Sequence, residues 1–298
     1  MTKQNTVSTD EYCEHITTVD VWDTLLRRHC HPDEVKLASA KYLLLTFHDS
    51  LREEYRDQYK IFNQRRDSEI EIGGRSMSEG QDDEYHIVDV WEKTITKISN
   101  RESLSEIKEI AESVTKYELE FENFISYPDP GISSWLKNRT RSVEYYFLSD
   151  FYIDSKSLKD IVQSKHPDLN FKGGLASCSV GVNKRSGRLF EEFLSKYDAI
   201  KHKIIHVGDN AHSDYNIPRS MGIRAYIYNN KKEQQKIKKL ASQFNKRMEN
   251  RDLKKYWKII NKEIKKNRVL PFSRRQRYIN LGIEFSPMFV LYVIYAIE

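Results

Sequence analysis

The sequence predicts an α/β fold: a parallel sheet flanked by helices, with a helical insertion behind its first strand. Three observations carry that expectation. Five short runs rich in β-branched and aromatic residues, 16–22, 143–148, 171–177, 203–207 and 224–228, read as strands. Helical patterns such as 155–164 and 189–196 separate most of them, and strand–helix alternation implies parallel pairing. The first run also stands about 120 residues ahead of the second, far more than one crossover requires.

That interval is helical in pattern. Pro32 followed by Asp33 and Glu34 opens a helix through Ala38, Tyr42 and Leu45. Further helical patterns cover 51–70, 88–98 and 104–124, and the Gly- and Ser-rich stretch 73–83 (GGRSMSEGQDD) reads as a flexible joint. From Asn229 to Pro271 the chain is helical and Lys-rich, and it ends on an apolar run, 288–297. The expected organisation is therefore a core of 1–28 and 125–230, a helical insertion of 29–124, and a basic helical C-terminal segment of 231–298 that continues in the natural protein.

The net charge of +5 conceals an asymmetry. Residues 231–278 hold 18 Lys and Arg against 4 Asp and Glu, about +14, so the remainder carries about −9. A solvated helical face is the plain reading of the basic segment. The sharper one is contact through 231–277 with an anionic membrane surface or an acidic protein. Nucleic acid is not expected, because no recognised binding module is present.

Three cysteines, Cys13, Cys30 and Cys178, suit neither a zinc pattern nor a disulfide framework. The His29-Cys30-His31 run is too contiguous for three side chains to converge on one ion. The first residues are polar and acidic rather than signal-like, and ten apolar residues near the end are too few to cross a bilayer. A cytoplasmic location is the expectation, with peripheral membrane association as an option.

The chemistry concentrates at strand ends. Asp20 closes the first strand, with Thr24 one tight turn later, and open α/β sheets bind ligands at the carboxyl ends of their strands. A carboxylate there can ligate Mg²⁺ with one oxygen and attack phosphorus with the other. The fourth strand ends in Gly208-Asp209, and Asp214 follows on the same loop, adding hard oxygens that suit Mg²⁺. Ser149 ends the second strand, where its hydroxyl can bond a phosphate oxygen. Lys184 supplies a cation to hold nucleophile and phosphate together. His206 reads as a buried neighbour of the site. Arg27 and Arg28 read as facing either the substrate entrance or carboxylates of the insertion.

Asp20 with Thr24, then Ser149, Lys184, and Gly208-Asp209 with Asp214 resemble the four ordered motifs of the haloacid dehalogenase-like superfamily. The insertion resembles that superfamily's C1-type cap, and the core its Rossmann-like sheet. VDVWDTLLRR, FLSDFYIDSKSL, KRSGRLFEEFL, HVGDNAHSDY and YINLGIEFSPMF further resemble the branch associated with bacterial surface-polysaccharide glycosyltransferases. The resemblance implies a Mg²⁺-dependent phosphohydrolase acting through an aspartyl-phosphate on Asp20. Mg²⁺ would be held by Asp20, Asp209, Asp214 and the backbone carbonyl of Trp22, while Ser149, Lys184 and Thr24 grip the phosphate. The substrate would be a phosphorylated metabolite, sugar or protein side chain.

One departure bears on mechanism. Phosphatases of the superfamily carry a general acid–base Asp two residues after the nucleophile, where this chain has Trp22. Asp23 is one residue late and, on an extended strand, would point to the opposite side. General acid–base help contributes roughly 10²–10⁴-fold, so slow turnover or a preference for good leaving groups is expected. Substitutes from the insertion are His29, His31, Arg65 and Glu69. The alternative is a weak or inactive phospho-ligand-binding module regulating an attached glycosyltransferase. The superfamily's dehalogenases also lack that Asp, but they need no metal, and the acids after Gly208 argue against them.

Overall fold

A computed structural model describes residues 16–140, 142 and 144–249. The chain forms two compact units, 1–240 and 241–298, and the architecture below is that of the first. Cys13, the apolar run 288–297 and the basic segment beyond residue 249 lie outside the described residues.

Five parallel strands form the main sheet: β1 (Ile16–Val19), β4 (Tyr145–Ser149), β5 (Phe171–Ala176), β6 (Ile204–Gly208) and β7 (Arg224–Ile227). Their spatial order is β5-β4-β1-β6-β7. All five strands anticipated from sequence are present, and β1 takes the central place. Val19 pairs with Phe147 on one side and Val207 on the other, so the next residue, Asp20, leaves the sheet between two strand ends. Parallel strands buried on both faces read as continuous apolar runs, and β6 is buried at every position. The helix Arg188–Lys196 seats Leu189, Phe190 and Phe193 against Leu148, Leu175 and Ile204 from three of these strands.

After β1 the chain turns tightly, with Leu26 N–H donating to the Val21 carbonyl at 2.8 Å. It then forms β2 (Leu26–Arg28), which pairs antiparallel with β3 (Ser126–Pro128). This two-stranded neck encloses the insertion: α1 (Pro32–Thr46), α2 (Gln58–Ser78), α3 (Ile87–Ile98) and α4 (Leu104–Ile125). Helix α3 shows why the region folds as a bundle. Ile87, Val90, Trp91, Thr94, Ile95 and Ile98 recur at three- and four-residue steps and are all buried. The bundle also encloses charge: Arg65 pairs with Glu69 and, at 2.7 Å, with Glu118, whose other oxygen accepts from the Trp91 indole at 2.9 Å. Buried ions persist only when paired in this way.

Two expectations for the insertion are corrected. The helical pattern at 51–70 begins late, because 3₁₀ turns at His48–Ser50 and Glu53–Tyr55 precede α2, which the Asp57 side chain caps at Gln58. The joint at 73–83 is largely helix, since α2 runs through Ser78. Gly73 serves close packing: a Cβ there would stand 3.0 Å from the Asp83 carbonyl oxygen. Only the segment between α2 and α3 remains a loop. Among the described residues no helix is long and apolar enough to cross a membrane.

Candidate active site

The structure brings Asp20, Lys184, Asp209 and Asp214 together at the carboxyl edge of the sheet. Asp20 directly follows β1, is 6 % exposed, and has its N–H tied to the Val207 carbonyl at 2.8 Å. Lys184 lies between the short helix Ser177–Val180 and the helix Arg188–Lys196, only 2 % exposed. Its ammonium pairs with Asp20 and, at 2.6 Å, with Asp214. Asp214 sits in a π-helical turn, Ala211–Asn216, that follows β6. Gly208 allows it to come so near: a Cβ at Gly208 would overlap the Asp214 carboxyl group. Ser149 is buried at the end of β4, beside β1 in the sheet.

Secondary contacts hold these groups in place. The Thr18 hydroxyl and His206 Nδ1 are 2.9 Å apart, and His206 Nε2 is 3.2 Å from Asp214 Oδ1. Burial lowers the imidazole's proton affinity and favours the neutral ring. A neutral ring that donates from Nε2 to Asp214 must accept from Thr18 at Nδ1. Asn210 N–H donates to the other Asp214 oxygen at 3.0 Å. Asp150, a residue that sequence reasoning assigned no role, accepts from the Lys184 backbone N–H at 2.8 Å.

The electrostatics are unbalanced toward acid. Burial opposes the Lys184 ammonium, but Asp20, Asp214 and Asp150 outweigh it and hold the amine protonated. Burial likewise works against the Asp214 carboxylate, yet Lys184 and His206 keep it well below its usual range. Asp20 is pushed upward by burial and by Asp214 and Asp209, against the pull of Lys184. Asp209 is pushed up to about 7, by burial first and then by Asp23 and Asp214. One lysine does not neutralise this group of acids.

Those acids fit a metal. Carboxylate oxygens of Asp20, Asp209 and Asp214 lie within 4.8 Å of one another, a hard-oxygen set suited to Mg²⁺, and the excess negative charge is what a divalent cation would offset.

The first-motif turn departs from expectation. Asp23 adopts a left-handed φ of 64°, so the extended-strand geometry that would turn it away does not hold. It lies near enough to Asp209 to raise that acid's proton affinity, and Arg27 stands 3.9 Å from its carboxylate. Thr24 is fully buried, and its hydroxyl, like the Trp22 indole N–H, has no hydrogen-bond partner among the described residues.

Beside Trp22 stands Arg28 rather than an acid, its guanidinium 3.5 Å from the ring centroid, with Phe151 at 4.9 Å. Arg28 also pairs with Glu122 of α4, one of the two roles weighed for it from sequence. Arg27 is buried against Asp129 at 2.8 Å. The four substitutes considered from the insertion are engaged elsewhere. His29 stacks on Tyr127 at 4.4 Å, His31 caps α1, and Arg65 and Glu69 pair within the bundle.

A five-stranded parallel sheet of this order, an inserted bundle behind β1, and acids at the ends of β1 and β6 define the haloacid dehalogenase-like fold. A 2-haloacid dehalogenase from Pseudomonas syringae pv. Tomato DC3000 superposes with a TM-score of 0.50 at 17 % identity, over 73 % of this chain and 87 % of its own. An L-2-haloacid dehalogenase from Xanthobacter autotrophicus gives 0.40 at 11 % identity, covering 72 % and 76 %. A haloacid dehalogenase-like family hydrolase from Streptococcus pneumoniae gives 0.36 at 14 %, covering 71 % and 83 %. At 17 % identity the first likeness is one of fold. No protein-family profile matches the chain, and no curated protein sequence does.

Proposed function

We propose that the chain is a Mg²⁺-dependent phosphohydrolase that uses Asp20 as its nucleophile on a phosphorylated small molecule or protein side chain. The observation that carries this reading is the set of three carboxylates, Asp20, Asp209 and Asp214, closing on one point. Displacement of a halide needs a carboxylate nucleophile but no such cluster of hard oxygens, so Asp209 favours phosphate over the haloacids named for the structural neighbours.

In this reading Asp20, Asp209, Asp214 and the Trp22 carbonyl would hold the cation, which would supply neutralisation of charge on the transferring phosphoryl group. Lys184 orients one Asp20 oxygen, leaving the other to attack phosphorus. A new bond forms between that oxygen and phosphorus while the bond to the leaving oxygen breaks. Ser149, Lys184 and Thr24 bind the equatorial phosphate oxygens, and the orphaned Thr24 hydroxyl supports its share in this. Water then hydrolyses the acyl phosphate and regenerates Asp20. With Trp22 and Arg28 where an acid would stand, good leaving groups are favoured.

That same Arg28–Trp22 pairing supports a second reading, a phospho-ligand-binding module with little turnover. By the resemblance of its motif spellings, either activity would act beside polysaccharide glycosyltransferases in the cytoplasm, and the basic charge of residues 231–277 would suit an anionic membrane surface or acidic protein.

Purified protein incubated with p-nitrophenyl phosphate or acetyl phosphate, with and without Mg²⁺ and beside Asp20→Asn, tests the proposal. Release that depends on Mg²⁺ and on Asp20 is expected. Equal background rates for wild type and mutant would sink it, and turnover of 2-chloropropionate instead would transfer the site to dehalogenation.

A further inference from the structure

The loop between α2 and α3 is more than a connection. Three consecutive acids on it, Asp82, Asp83 and Glu84, bind the turn that carries Lys184. Asp82 Oδ2 accepts from Asn183 N–H at 2.8 Å and from the Ser186 hydroxyl at 2.5 Å, and Asp82 Oδ1 accepts from Arg188 at 3.3 Å. Asp83 Oδ1 and Glu84 Oε1 both accept from the Asn183 side-chain amide, at 3.2 and 3.1 Å. Arg185 pairs with Asp83 at 2.8 Å, and Glu84 Oε2 accepts from the Ser177 hydroxyl at 2.5 Å. The backbone joins in, with Asp82 N–H donating to the Gly181 carbonyl at 2.9 Å. Gly181 has a φ of 71°, and a Cβ there would meet the Gln81 side chain.

Asn183 is thereby bonded at its backbone N–H, at both ends of its amide, and only 3 % exposed. Its neighbour Lys184 reaches Asp20 and Asp214 from the same turn. A loop of the inserted bundle, far in sequence from the neck at β2 and β3, thus grips the backbone that aims the buried Lys184 ammonium. We infer that Asp82, Asp83 and Glu84 form a latch that couples docking of the inserted bundle to the placement of Lys184, with Asp82 and Asn183 as positioning residues. When the latch is made, the ammonium lies between the two carboxylates; when it opens, the 183–186 turn loses its outer support and Lys184 gains freedom. Its value to catalysis rests on the reading of Lys184 as a phosphate-gripping group, whereas the coupling itself does not.

The test needs no turnover. Full-length wild type, Asp82→Asn and Asp82→Ala are compared by site-resolved amide hydrogen exchange and by acetic-anhydride labelling of Lys184, with exposed Lys116→Ala as control. Asp82→Ala is expected to speed exchange of the Asn183 amide and labelling of Lys184 by at least about tenfold, with the β1 and β6 amides unchanged and Asp82→Asn intermediate. Unchanged labelling in Asp82→Ala, or a uniform rise across the sheet, overturns the latch. If the protein also turns over p-nitrophenyl phosphate, Asp82→Ala should lower kcat with KM nearly constant, since misplacing a catalytic group by about 1 Å costs on the order of 10²-fold. A turnover-dead protein that shows the labelling change would discard the phosphatase reading and keep the latch.

Discussion

Arg28 lies over Trp22, its guanidinium carbon 3.5 Å from the indole centroid, and reaches from there to Glu122 in the inserted bundle. The contact joins the turn behind Asp20 to the bundle, and at the second position after Asp20 it sets an indole under a guanidinium rather than a carboxylate. Replacing Trp22 by Asp is therefore expected to raise turnover of alkyl phosphates relative to p-nitrophenyl phosphate, by about 10-fold or more given the usual 10²–10⁴-fold worth of such groups. The ratio of the two kcat/KM values measures it. An unchanged ratio would show that acid–base help is not what limits this site.

Lys184 is the buried ammonium between Asp20 and Asp214. Lys184→Met leaves both carboxylates buried without their partner, which typically costs about 3–5 kcal/mol. Urea unfolding should show that loss. Added Mg²⁺ should restore part of it if the acids bind the cation, because a ligand of the folded state alone stabilises it.

Gly208 lets the Asp214 carboxyl pack directly against the backbone. Gly208→Ala must displace that carboxyl from its place beside Asp20 and Asp209. Titration calorimetry with Mg²⁺ or Mn²⁺ should find affinity lowered at least about tenfold, in the range seen when groups supporting metal ligands are removed. Wild-type affinity in this variant would remove Asp214 from the ligand set.

Asp129 anchors the neck. It accepts from Arg27 at 2.8 Å, Tyr228 at 2.6 Å and the Gly131 N–H at 2.9 Å. Burial opposes its charge, but Tyr228, Gly131 and Arg27 outweigh it and hold the carboxyl below its ordinary range. Because the folded state binds this proton less tightly than the unfolded chain, the stabilisation is present above the ordinary Asp value near 3.9 and disappears as pH falls through the folded one. Asp129→Asn should flatten the acid limb of urea midpoint against pH below about 4. An identical limb in the variant would refute this role.

Much of the site was readable along the chain because it sits at strand ends. The runs ending in Asp20, Ser149 and Gly208-Asp209 are rich in β-branched or aromatic residues for burial in a central sheet, so their polar terminal residues stand out. His206 could be placed as a buried neighbour because it lies inside such a run. The insertion was less readable. Pattern alone took the glycines near residue 73 for a joint, where close backbone packing against Asp83 explains Gly73 within a continuous helix. Asp82 and Asp83 fall within the stretch that reads as a flexible joint, with Glu84 just beyond it, and nothing local marks their partners about a hundred residues away.

Periodicity and order of residue types sufficed to set the alternation of strands and helices, the interruption behind β1 and the chemical identity of the groups at the sheet edge. These are properties of short segments, governed by which side chains must be buried. Three-dimensional packing alone decided that Lys184 would stand between Asp20 and Asp214, that Asp23 would take a left-handed turn rather than continue the strand, and that Arg28 would cover Trp22. The Lys184 pairings and the Arg28–Glu122 pair that holds the guanidinium over Trp22 join segments far apart in the chain, and their energies arise only once burial removes water from the charges.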